Sequence, residues 1–121
     1  MQNRPFRLGP VALSNTLTTN ILNPGTVTGG VGVGTPNTFI ILTHIRIVNK
    51  TAGAVTFSLW LGATGGNAAG TEFIGTAISI AANDAFDWYG RVLLKTTDFL
   101  VGGASAATSL TIQAEGEIGI E

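Results

Sequence analysis

At 121 residues, with no cysteine, one histidine (His44), 17 glycines and 11% charged residues, the chain has much of what tight turns need and little of what catalysis needs. The lack of cysteine excludes disulfides, thiolate chemistry and a CxxC zinc site, and a net charge of −1 gives no overall basic field for nucleic acid. The length is that of one domain, able to bury roughly two thirds of its unfolded surface in a single sheet-on-sheet core.

The N-terminal segment Arg4-Pro5-Phe6-Arg7-Leu8-Gly9-Pro10 carries two prolines that remove ladder donors. It reads as an extended arm over residues 1–15, outside a β-sandwich domain at 16–121. Within the arm, Arg4, Phe6, Arg7 and Leu8 form a candidate protein-binding anchor, with Phe6 filling a partner's pocket and the arginines pairing with carboxylates. The alternative is a disordered terminus. Residues 16–22 suit an edge strand. Residues 23–37 hold five glycines and two prolines and read as a flexible loop. Gly30-Val31-Gly32-Val33-Gly34 invites a phosphate-loop reading, but it lacks the Gly-Lys-Ser/Thr of a P-loop and any following helix.

Strands are announced by period-2 alternation. In residues 38–49, Phe39, Ile41, Ile45 and Ile47 fall on one face, and Ile40, Leu42, His44, Arg46 and Val48 on the other. Val55, Phe57, Leu59 and Leu61 then alternate with Thr56, Ser58 and Trp60. The turn formers between them, Asn49 to Ala54, predict an antiparallel hairpin. Residues 72–80 set Ile74, Ile78 and Ile80 on one face, and 81–84 close that strand. Phe86 and Trp88 alternate with Asp87 and Tyr89, leading into Val92-Leu93-Leu94. Gly102 to Ser109 reads as a loop or one short turn. In the last segment, Leu110, Ile112, Ala114, Gly116, Ile118 and Ile120 alternate with Thr111, Gln113, Glu115, Glu117, Gly119 and Glu121, so its register is strongly fixed. No window shows a helical stripe. The pattern predicts an all-β chain: a single antiparallel β-sandwich of jelly-roll or Greek-key type with six to eight strands.

Charge is unevenly spread. Residues 1–50 hold Arg4, Arg7, Arg46 and Lys50 and no acid; residues 51–121 hold Arg91 and Lys95 against seven acids. The split either complements a neighbouring copy or partner, or is chance in a weakly charged chain. Mean hydropathy is +0.40, high for a small soluble monomer. The longest apolar stretch, residues 38–48, is broken by Thr43, His44 and Arg46, far short of the ~20 residues of a membrane span. Met1 to Pro5 lead into no apolar run of the signal-peptide kind, so no secretory signal is expected, and cytoplasmic synthesis is.

Candidates for chemistry are few. His44 has no second histidine or cysteine for a metal and no Gly-x-Ser-x-Gly serine for a triad, and reads as a half-buried, hydrogen-bonded residue. Asp84 and Asp98 lie in turn-like stretches, where their side chains bond backbone. Asp87 has Trp88 and Tyr89 beside it, which keeps a glycosidase carboxylate pair open. Trp60, Trp88 and Tyr89 also suit stacking on sugar rings, as in a carbohydrate-binding module. Trp88 is in phase with Phe86, as a core residue is. Asn49-Lys50-Thr51 matches the N-glycosylation sequon. No catalytic, cofactor or metal residue is assigned, and neither nucleic acid nor membrane is expected as a partner.

The phrases Ile45-Arg46-Ile47-Val48-Asn49-Lys50-Thr51, Leu59-Trp60-Leu61-Gly62-Ala63-Thr64-Gly65-Gly66, Asp87-Trp88-Tyr89-Gly90 and Leu100-Val101-Gly102-Gly103-Ala104-Ser105 resemble small virion proteins of tailed bacteriophages, most of all capsid decoration (cement) proteins. The resemblance covers roughly residues 38–121. It implies a jelly-roll sandwich made in the host cytoplasm and assembled as dimers or trimers on the outside of a phage head. There it binds the major capsid protein and clamps neighbouring subunits. Similar sandwiches occur in tail, fibre and adaptor proteins.

Overall fold

The structure is a computed structural model that describes residues 3–24 and 38–120. All of its regular elements are strands: β1 (Arg4–Ala12), β2 (Asn20–Leu22), β3 (Thr38–Asn49), β4 (Val55–Gly62), β5 (Ile78–Ile80), β6 (Ala85–Leu94), β7 (Phe99–Ala104) and β8 (Leu110–Ile120). They make two antiparallel four-stranded sheets, ordered β1-β8-β3-β6 and β2-β7-β4-β5. The pairing is nested: β1 bonds β8, β2 bonds β7, β3 bonds β6 and β4 bonds β5. Two further pairings, β3 with β8 and β4 with β7, complete the sheets.

The core lies between them. Ile40, Leu42, Ile45 and Ile47 of β3 and Leu110, Ile112, Ala114 and Ile118 of β8 face Val55, Phe57 and Leu59 of β4, with Leu22, Ile80 and Leu100 beside them. Each such aliphatic side chain is worth about 1.5–3 kcal/mol when fully withdrawn from water. The alternation expected for β8 is seen, with even-numbered residues from Leu110 to Ala114 and Ile118 fully buried.

Several expectations are corrected. Residues 4–12, expected as an arm, are laid along β8 as an edge strand of the first sheet. Prolines fit there because an edge strand leaves one row of donors unpaired. In β3 the inward residues are Ile40 and Leu42, then Ile45 and Ile47, so Phe39 and Ile41 lie on the outer face. Between the rows of Leu42 and His44, β8 contributes no intervening residue, β3 one (Thr43) and β6 two (Gly90 and Arg91). This bulge shifts the phase of β3 by one residue. β3 and β4 form no hairpin: each lies in a different sheet, and the turn between them is a corner. The strand expected over 72–80 is reduced to β5. Before it, Ile74 and Ala77 have left-handed backbones, and Glu72 makes only an isolated bridge to Trp60.

The glycine-rich stretch expected as a loop from Gly102 begins inside β7, an interior strand of the second sheet. At Gly102 a Cβ would meet the Ser58 carbonyl oxygen, so glycine is required by the neighbouring strand and does not end this one. Of the edge strand expected over 16–22, only Asn20–Leu22 is strand, as β2 at the edge of the second sheet. Of the expected flexible loop, residues 25–37, with the phosphate-loop candidate, lie outside the described residues; Asn23 and Pro24 before them are buried.

Candidate functional surface

The outer face of the first sheet gathers most of the chain's chemistry-bearing side chains. Register sets Arg7 of β1, Glu115 of β8, His44 of β3 and Tyr89 of β6 in one row. Gln113, Arg46 and Asp87 form the next. On the other side of the His44 row run Pro5, Glu117, Ile41 and Leu93.

His44 is the centre of this face. Its Nε2 lies 2.8 Å from Asp87 Oδ1 and its Nδ1 3.0 Å from Glu115 Oε1. Tyr89 stacks on the ring, with centroids 4.6 Å apart and planes 10° from parallel. Arg46 Nη1 lies 3.5 Å from the same Asp87 oxygen. The hydrogen bond to Asp87, then that to Glu115, raise the histidine pKa above its ordinary 6.5, against a smaller opposing effect of burial. With each nitrogen facing its own carboxylate, the ring keeps both bonds only as imidazolium, a donor at both ends. The carboxylates sit at different edges of the ring and do not converge on one point. Among the described residues no group of three or more potential ligands is placed to hold a metal ion.

Of the four cations in residues 1–50, Arg46 pairs with Asp87, and Arg7 stands opposite Glu115 in the register. Of the expected anchor, only Arg4 and Arg7 are exposed. Phe6 is 6% exposed and sits in this chain's own core, and Leu8 packs partly against it. The anchor as expected therefore has no free aromatic.

The three candidate stacking residues do not come together. Trp60 is 6% exposed and out of phase with the core residues Phe57 and Leu59 on the second sheet. Trp88 packs partly against the core, edge-on to Phe73 with centroids 5.1 Å apart. Tyr89, 73% exposed, is on the opposite side of β6 from Trp88. Nor do the aspartates assemble. The ten residues of β6 separate Asp84 from Asp98 by roughly 30 Å, and each accepts a backbone N–H in its own turn, from Ala85 and Lys95.

Sequence reasoning missed Asp87 and Glu115 as partners of His44. The only signal was their shared outward phase, which means nothing until strand neighbours are known. It also missed Asn49, which is fully buried. Its Nδ2 donates to the carbonyls of Gly53, Ile80 and Ala81, and its Oδ1 accepts from the Thr51 amide and hydroxyl. One amide thus ties the β3–β4 corner to the end of β5. The sequon asparagine is committed to the fold.

No protein-family model matches the chain, and no curated protein matches it. Among solved structures, that of the infectious bursal disease virus Gt strain is similar at 10% identity and a TM-score of 0.23, covering 97% of this chain and 31% of that one. This chain spans about a third of the length of that viral chain. No helix among the described residues is long and apolar enough to cross a membrane, which says nothing of membrane-spanning strands.

Proposed function

We propose that the chain is a non-enzymatic structural protein of a virus particle, most like a capsid decoration (cement) protein. In this reading it binds the outside of a tailed-phage head and holds neighbouring major capsid protein subunits together, as a homo-oligomer. The nested strand order suits a long hairpin folded over into a jelly roll, an architecture common among viral capsid and lectin domains. The phrases quoted from residues 38–121 point the same way.

The observation that carries the reading is the outer face of the first sheet. It joins a large exposed aromatic, Tyr89, and the exposed Leu93 to a framework of paired charges. Such a face is suited to adhesion: aromatic area supplies the contact and the charges set orientation. A modest contact repeated over a symmetric shell binds tightly through its copy number. The side chains that suggested catalysis are instead held by turns and by each other. A sugar-binding reading lacks a platform, since Trp60, Trp88 and Tyr89 occupy different surroundings.

The test is to add the purified protein to undecorated heads and image the particles by electron cryo-microscopy. Regular density bridging capsid subunits is the expected result. Density confined to tail, fibre or connector would move the chain to those parts of the virion. Absence from every particle, or glycan-array binding lost in Tyr89→Ala, would overturn the reading.

A further inference from the structure

The sandwich has four sheet edges, and three of them are guarded. β2 and β5 are three residues long, and β1 carries Pro5, Pro10 and a register shift. Short length, proline and bulges are the means by which edge strands avoid pairing with other chains. β6 is the longest of the four, ten residues without proline or lysine, and its irregularity is the insertion of Gly90 and Arg91 where it faces β3. Among the described residues, no strand lies beyond it, and no backbone hydrogen bond from outside β3 reaches residues 85–94.

We propose that β6 is the self-association edge of this chain, pairing antiparallel with β6 of a second copy about a two-fold axis at Tyr89. The two sheets then join into one of eight strands. This register is selected by charge. It sets Asp87 against Arg91 of the second copy, and by symmetry Arg91 against that copy's Asp87, so both charges of β6 meet their opposites. Moving the axis by one residue to either side leaves Asp87 opposite Tyr89 or Leu93. The apolar pairs in the chosen register are also compatible. Phe86 opposes Val92 and Trp88 opposes Gly90 on the inner face, and Ala85 opposes Leu93 on the outer. Asp87 keeps an oxygen for the partner, since His44 and Arg46 both bond its Oδ1. The proposal rests on the edge itself rather than on the virion reading, and is tested on the purified chain with no particle present.

Sedimentation of the wild-type chain is expected to give a dimer. Arg91→Asp sets like charges opposite each other twice and should weaken the dimer at least about tenfold, with the circular dichroism unchanged. Because the chain has no cysteine, Tyr89→Cys gives a clean second readout. On the axis its two copies lie at a separation a disulfide can span, and mild oxidation should link them. Leu93→Cys, opposite Ala85, should not be linked. A monomer at high micromolar concentration, a trimer, or a dimer that survives Arg91→Asp and is not linked by Tyr89→Cys would overturn the proposal.

Discussion

Asp87 Oδ1, one row along from His44 on the neighbouring strand, lies 2.8 Å from Nε2 of that histidine, whose ring stands between two acidic neighbours. The second of these, Glu115, takes the other nitrogen. Because these bonds raise the histidine pKa on folding, the unfolded chain releases its proton first as pH climbs. The stabilisation is therefore complete below about pH 6.5, the unfolded value. It is lost as pH rises through the higher folded value. Thermal melts from pH 6 upward should show the midpoint falling with pH. His44→Gln should remove that slope, and NMR titration of the imidazole should place its midpoint above that of a free histidine. A midpoint at or below the free value would refute the assignment.

The row around His44 also marks the boundary of what the sequence reveals. β8 was legible because its alternation is unbroken and each inward residue is apolar. β3 was legible as a strand but not in phase. Thr43 inserts one extra residue, and a run apolar on both sides, Phe39 to Leu42, gives no sign of where the shift falls. β7 was hidden for the opposite reason: its glycines resemble a loop until the neighbouring backbone that excludes a Cβ at Gly102 is known. Hairpin and corner were confused at Asn49 to Ala54 because both use the same turn formers. Only the pairing partners, which are long-range, distinguish them.

That corner yields a second test. Asn49 serves three carbonyls and the Thr51 amide from a site with no exposure. In Asn49→Ala, water does not replace these bonds without opening the corner. A buried polar group left unpaired costs about 1–3 kcal/mol, and a loss of about 3 kcal/mol is expected in denaturant unfolding. Thr51→Ala, which removes a hydroxyl and a methyl from a half-buried position but keeps the backbone bond to Asn49, should cost about 1 kcal/mol. Expression in a glycosylating host should leave the folded sequon unmodified by mass, because the nitrogen that would be glycosylated faces inward. Modification of the folded protein, or equal losses in the two variants, would contradict this role.

The N-terminal strand separates an arm from a structural element by stability alone. Phe6 stands opposite Gly116 of β8 in the register, and its ring joins the main core. Phe6→Ala removes a buried ring and leaves a cavity, at an expected cost of about 3–5 kcal/mol. Arg7→Ala removes an exposed side chain opposite Glu115 and should change stability by less than about 1 kcal/mol. A free arm would show the reverse pattern: neither substitution would matter to unfolding, and both would matter to partner binding. Deleting residues 2–10 should likewise destabilise the body, exposing the β8 edge, so a loss of capsid binding in that variant would not identify a tether. Substitution of Arg4 and Arg7 together, with the melt unchanged, isolates any part the exposed cations play in docking. If Phe6→Ala unfolds at the wild-type denaturant midpoint, β1 is not part of the cooperative core.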